Sequence, residues 1–354
     1  AAAAVFLGLA LASPQVHGVA HADEVAPGRE STGRPAVRAD AQGRTRTPDG
    51  LASPASALVS ALRLQEIPVL GPLLLTPFVT LVNRIPVVSD VLHPIFGYPL
   101  LPQGLAAPRD VRVVSFDGTQ INVHFMPAAG LPSGQSAPTV FLAPALGMPG
   151  ATNLDGTPLD LILADLGSEI GVGALRKAGY NVVTWDPRGT YLSGGALQID
   201  SPEYEARDVS AIISCVAQQA ETQLDAPDDP RMGMAGASYG GGIQLVTAAT
   251  DHRVDAIVPV LSWNTLNSSL YKSGAFKTGG ASALAATLVL TLTRMNPQII
   301  PMVVYGDFTG EMTAAGQDLL ARSGPGPARG FPDLGGPDQR PHSADPGHRR
   351  HPRR

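Results

Sequence analysis

One stretch constrains this chain more than any other. Met232-Gly-Met-Ala235, a short apolar strand, runs into Gly236-Ala237-Ser238-Tyr239-Gly240, with Gly241-Gly242 and a helical pattern beyond. The G-x-S-x-G spacing alone is weak in a chain with 39 Gly, so the context decides. A nucleophile elbow needs a strand, a turn tight enough to strain the serine, glycines two residues to either side so that backbones can approach, and a helix. All four are present in that order. Such a turn lifts the Ser238 hydroxyl above the sheet, and the helix aims its free N–H groups at a developing oxyanion. The bland alternative is a glycine-rich connection between strand and helix.

The surroundings extend the strand–helix alternation. Val111–Ser115 and Ile121–Met126 are alternating runs joined through Asp117-Gly118, a hairpin signal. Apolar strands at 139–143 and 181–185 flank a long helical stretch ending near Ala178-Gly179. A helix from about Tyr204 to Gln219 precedes the Met232 strand, and the strand Ala256–Leu261 follows the helix after Ser238. The pattern predicts an α/β fold with a mostly parallel central sheet and an antiparallel hairpin at its start. Ligands in such sheets sit at the C-terminal ends of the strands.

Outside this region the texture changes. Residues 1–12 form an apolar run followed by the small-x-small site Ala20-His21-Ala22, which reads as a secretory signal (1–22) missing its start; a buried helix is the alternative. Residues 23–53 are polar, rich in Gly, Pro and Arg, and read as a linker. Residues 54–105 are apolar but broken by Pro68, Pro72, Pro77, Pro86, Pro94 and Pro99. With no uninterrupted run of about 18 apolar residues, they predict short helices laid over another surface, or a cell-envelope contact, rather than a membrane span. The core is assigned to 106–262, and residues 263–322 are set apart from it. The single cysteine, Cys215, excludes disulfides and cysteine zinc sites. A net charge of -5 gives no footprint for nucleic acid. No cofactor or metal is assigned, and without a Lys after the glycines or a G-x-G-x-x-G a nucleotide site is disfavoured.

The oxyanion hole of a nucleophile elbow takes one N–H from the residue after the serine, Tyr239, and one from the loop after the third strand. That loop is Pro144-Ala-Leu-Gly-Met-Pro-Gly150, which makes Leu146 the second donor.

Here the sequence resembles the α/β-hydrolase superfamily, and within it the Xaa-Pro dipeptidyl-peptidase and cocaine-esterase-like serine hydrolases. The resemblance covers about Arg109 to Lys272. It rests on the elbow, on Trp185-Asp-Pro-Arg-Gly189 with Ser193-Gly-Gly195, on Ser201-Pro-Glu-Tyr-Glu-Ala-Arg-Asp208, and on Asp251-His-Arg-Val-Asp-Ala-Ile257. It implies that Asp186 and Arg188 order the loop beside the site. It also implies that 263–322 is a mostly helical insertion, or lid, beside the site, and that Trp263 and Tyr271, if it is a lid, line an acyl or peptide pocket; otherwise they are core.

A serine hydrolase of this kind also needs an acid and then a histidine after the serine. His17, His21, His93 and His124 precede Ser238, and His252 follows at the end of the next helix, where it is read as structural. His342, His348 and His351 fall in the tail, 323–354, whose 7 Pro, 6 Gly and 6 Arg predict disorder. The triad acid and base are left unassigned. Two readings remain open. In one, a frameshift between Leu320 and Gly330 has replaced the last strands; read one base on, Pro341–Arg354 can encode an apolar strand followed by an Asp-bearing turn. In the other, Ile299–Tyr305 is a strand that carries Asp307 as the acid, with His342 as base.

The sequence thus predicts a secreted or cell-envelope serine hydrolase acting on a small ester or peptide through an acyl-enzyme, impaired in this chain. A non-catalytic secreted or envelope-associated binding protein is the alternative. Oligomeric state and exact substrate are not legible.

Overall fold

The Asp117-Gly118 turn joins two antiparallel strands, β1 (Arg109–Val114) and β2 (Gln120–Met126), with Gly118 at φ 81 where a side chain would be strained. β2 then pairs antiparallel with β4 (Asn181–Trp185). From there the sheet is parallel: β4 to β3 (Thr139–Leu142), β3 to β7 (Met232–Ala237) and β7 to β8 (Ala256–Val260), giving the order β1-β2-β4-β3-β7-β8. A small ribbon, β5 (Leu224–Ala226) with β6 (Asp229–Pro230), stands apart from this sheet.

The computed structural model describes residues 88–155 and 171–328. The expected signal and linker, residues 54–87 of the proline-punctuated segment, and the tail from 329 with His342, His348 and His351 lie outside the described residues. No helix among the described residues is long and apolar enough to cross a membrane.

Alternation along the strands sorts side chains onto two faces. Ile121, Val123, Phe125, Phe141, Val183 and Trp185 pack on one side against Val209, Ile212, Ile213 and Val216 of α3 (Glu205–Ala217). Met126, Leu142, Val182 and Ala235 face the other way, onto α2 (Val172–Lys177). Before the hairpin lies α1 (Val88–Phe96), inside which Pro94 stands and whose His93 reaches Asp110 of β1 and the His124 ring of β2. The helix after the elbow is α4 (Tyr239–Thr250).

Residues 263–322 hold four α-helices: α5 (Leu266–Leu270), α6 (Thr278–Leu290), α7 (Ile299–Thr309) and α8 (Ala314–Ala321). Their core joins Leu266, Tyr271, Phe276, Leu288, Met302 and Leu320 to Leu197 and Tyr239 of the main domain. Two expectations need correction. Ile299–Asp307 is helix, not strand, and the Asp307 carboxylate accepts a hydrogen bond from the Ser282 hydroxyl at 2.6 Å on an exposed surface. The described start of the tail is packed: Ser323 is 1% exposed, and α9 (Pro325–Ala328) follows it. Small residues permit this, since a Cβ on Gly324 would lie 2.2 Å from the Asn264 carbonyl oxygen.

Candidate active site

Ser238 sits between the end of β7 and the start of α4, at φ 54 and ψ -117, a region that a residue with a side chain occupies only when its surroundings hold it there. Three constraints do so. Its own N–H donates to the Val260 carbonyl at 2.9 Å, tying the elbow to β8. Its carbonyl accepts from Gly241 and Gly242, both at 2.9 Å, closing the first turn of α4. Beneath it, Gly236 and Gly240 press against β3: a Cβ on either would come within 2.7 and 2.3 Å, respectively, of the Ala143 oxygen. The two glycines predicted on sequence grounds are therefore required by contact.

Gln244 holds the same turn from below. Fully buried, it donates through Nε2 to the carbonyls of Gly236 (3.0 Å) and Gly240 (2.6 Å), while its Oε1 accepts from Val258 N (3.0 Å). The sequence reading missed it. A lone Gln inside an apolar helix pattern, one turn after G-x-S-x-G, was the available signal.

The predicted oxyanion loop leaves the same edge of the sheet. Ala143 N donates to Ala235 O at 2.9 Å, and Met148 N to Ala145 O at 3.0 Å, forming a turn with Leu146 and Gly147 at its centre and Gly147 at φ 71, as a type II turn requires. Leu146 packs against the apolar cluster that contains Tyr239. So Ser238, Tyr239 and Leu146 come to the C-terminal ends of β7 and β3, and the Tyr239 and Gly240 N–H groups that open α4 precede the first bonded turn of the helix. The insertion abuts this loop, because a Cβ on Gly147 would meet the Thr291 hydroxyl at 2.8 Å.

Buried polar groups brace the neighbouring loop. Asp186 accepts from Gly150 N (3.0 Å), Asn122 Nδ2 (3.1 Å) and Leu192 N (3.3 Å). Arg188 makes a two-point ion pair with Asp208 and a third bond to Asp117. Behind the elbow a small cavity is lined by Pro144, Trp185, Asp200, Glu205, Asp208 and Tyr239. Burial, and next the Glu205 charge, push the Asp200 carboxyl well above the usual range. The Tyr239 hydroxyl accepts from Asp200 N at 3.4 Å. Ser238 does not line this cavity. Tyr271 is buried within the insertion's core, and Trp263, whose Nε1–H donates to Ser323 O at 2.9 Å, lies against Gly242.

Three histidines are described. His93 and His124 are bound to Asp110, and His252 is exposed beyond the far end of α4, roughly 18 Å along the helix from Ser238. None of them is placed to act on the serine.

The family model for X-Pro dipeptidyl-peptidase (S15 family) matches residues 117–321, more than half of the chain. The chain belongs to this family. Solved structures with similar folds include an α/β hydrolase, GrgF, from Penicillium sp. sh18, with 21% identity over 51% of this chain and 53% of that one, at a TM-score of 0.35. A CocE/NonD family hydrolase from Staphylococcus aureus has 18% identity over 62% of this chain and 45% of that one, at 0.39. A hypothetical protein from Pseudomonas aeruginosa has 17% identity over 66% and 74%, at 0.37. The chain spans about half the length of the first two. No curated protein matches it. As a member of the S15 family the chain has an α/β-hydrolase fold.

Proposed function

We propose that this S15-family chain is a serine hydrolase in which Ser238 attacks the carbonyl of a small ester or an Xaa-Pro-type peptide. The observation that carries the reading is the backbone of Ser238, held at φ 54 by two glycines packed on Ala143. Such a turn presents the hydroxyl at the end of a helix whose first N–H groups are unpaired within it. Attack forms the acyl–Oγ bond and breaks the bond to the leaving alcohol or amine; water then releases the acid and restores the serine. Through the tetrahedral stages, the Tyr239 and Leu146 N–H groups carry the oxyanion.

No histidine among the described residues reaches Ser238, so we expect slow turnover, with the oxyanion donors and binding supplying what rate there is. Export to the cell envelope or beyond is part of the same proposal and rests on the apolar run before Ala20-His21-Ala22.

Turnover of aryl acetates and of Xaa-Pro anilides by the full chain and by Ser238→Ala tests the reading. Slow hydrolysis that disappears in the variant is expected. Hydrolysis that is equal in both overturns it.

A further inference from the structure

Where α1 meets the hairpin, three chemistry-bearing side chains converge that the elbow does not use. Asp110 and His124 are direct cross-strand partners of β1 and β2, and His93 comes down on them from α1. His124 Nδ1 lies 2.8 Å from Asp110 Oδ1, and His93 Nε2 lies 3.0 and 3.1 Å from the two oxygens of the same carboxylate. One nitrogen from each histidine and one carboxylate oxygen fall within 4.8 Å of one another. Both histidines are buried, at 3% and 4% exposure, while Asp110 is reachable from solvent.

We propose that His93, Asp110 and His124 bind one divalent transition ion of the zinc class. Ligand atoms 2.0–2.1 Å from a tetrahedral ion stand about 3.3 Å from one another, so the two nitrogen–oxygen separations need to open by only a few tenths of an ångström. Two imidazoles and a carboxylate suit zinc and its neighbours and are a poor set for magnesium or calcium.

The surroundings add two independent features. The outward Nε2 of His124 lies 3.3 Å from Asn122 Nδ2 and 3.9 Å from Asp186 Oδ1, so polar groups of β2 and of the loop after β4 stand behind the ring and fix its orientation, as outer partners do for metal-bound histidines. The Tyr98 ring packs edge-on against His93 at 4.3 Å, and its hydroxyl is buried with no hydrogen-bond partner. That hydroxyl is free to bond a water held by the ion. The ion would fasten α1 to the hairpin and, through Asp186 and Gly150, brace the loop next to the elbow. The residues lie 17 and 14 apart in sequence with no ligand spacing, which is why no motif announces them.

Titration of the chelator-stripped full chain with Co²⁺ alone, followed by Zn²⁺, tests this. The expected result is one equivalent of Co²⁺ with the intense visible bands of a four-coordinate site, displaced by one equivalent of Zn²⁺. Affinity should drop at least tenfold in His93→Ala and in Asp110→Asn; the latter alters a partly exposed side chain and serves if the histidine variant does not fold. No saturable band in the wild-type chain, or unchanged affinity in Asp110→Asn, overturns the proposal.

Discussion

The α-carbon of Gly240 faces the carbonyl oxygen of Ala143 so closely that a Cβ would stand 2.3 Å from it. Both sides of this contact are backbone, and neither can swing away. It seats the elbow on β3 at the point where the oxyanion loop begins. Gly240→Ala is therefore expected to destabilise the chain by about 3 kcal/mol or to prevent folding. Gly279→Ala, on an exposed turn of α6 with nothing within 4 Å, should be neutral or stabilise by up to about 1 kcal/mol. Urea unfolding of the two variants checks both.

Gln244 supports the elbow through three bonds to backbone. Gln244→Leu keeps the volume and leaves two buried carbonyls and one N–H without that partner, at roughly 1–3 kcal/mol each before relaxation. A loss of about 3 kcal/mol in unfolding free energy is expected, together with slower acylation of Ser238. A variant as stable as wild type would show that water replaces the amide.

Arg188 meets Asp208 at 2.7 Å through both Nε and Nη2, with both side chains nearly fully buried. Burial opposes the guanidinium charge, and the hydrogen bonds that Arg188 donates to Asp208, together with that carboxylate's charge, more than offset it. Lysine keeps the charge but cannot make the fork, so Arg188→Lys should lower stability by about 2–3 kcal/mol. Thermal unfolding at fixed pH measures it.

Glu205 gives the stability a pH dependence. Burial pushes its carboxyl up to about 7 from the usual 4.5, against the pull of the Gln198 and Ser201 N–H groups. A folded-state pKa above the unfolded one means that its contribution is full below 4.5 and is lost as pH rises through 7. The loss is roughly 3 kcal/mol at most. Melting temperature should fall between pH 4.5 and 7, and Glu205→Gln should flatten that fall.

The hairpin, the parallel strands and the elbow were legible because each is written locally, in Asp117-Gly118, in runs such as Asn181–Trp185 and in the spacing of Gly236, Ser238 and Gly240. What escaped depends on distant partners. Ser323 is buried because Trp263 and Leu266 come to it, and nothing in a Pro- and Gly-rich tail foretells that. Ile299–Val304 has the composition of a strand, yet it folds as a helix beside α6, where apolar side chains are shared around the axis. Gln244 and the His93–Asp110–His124 group gain meaning only when the sheet and helices bring separate elements together.

In the proposed reading Ser238 is the nucleophile, and no histidine among the described residues reaches it. Reaction of the full chain with a fluorophosphonate, followed by peptide mapping, tests it most directly. The account predicts slow phosphonylation at Ser238 alone, absent in Ser238→Ala. Labelling that persists in Ser238→Ala or maps elsewhere contradicts the nucleophile, and labelling as rapid as that of a complete serine hydrolase contradicts the expected slow turnover.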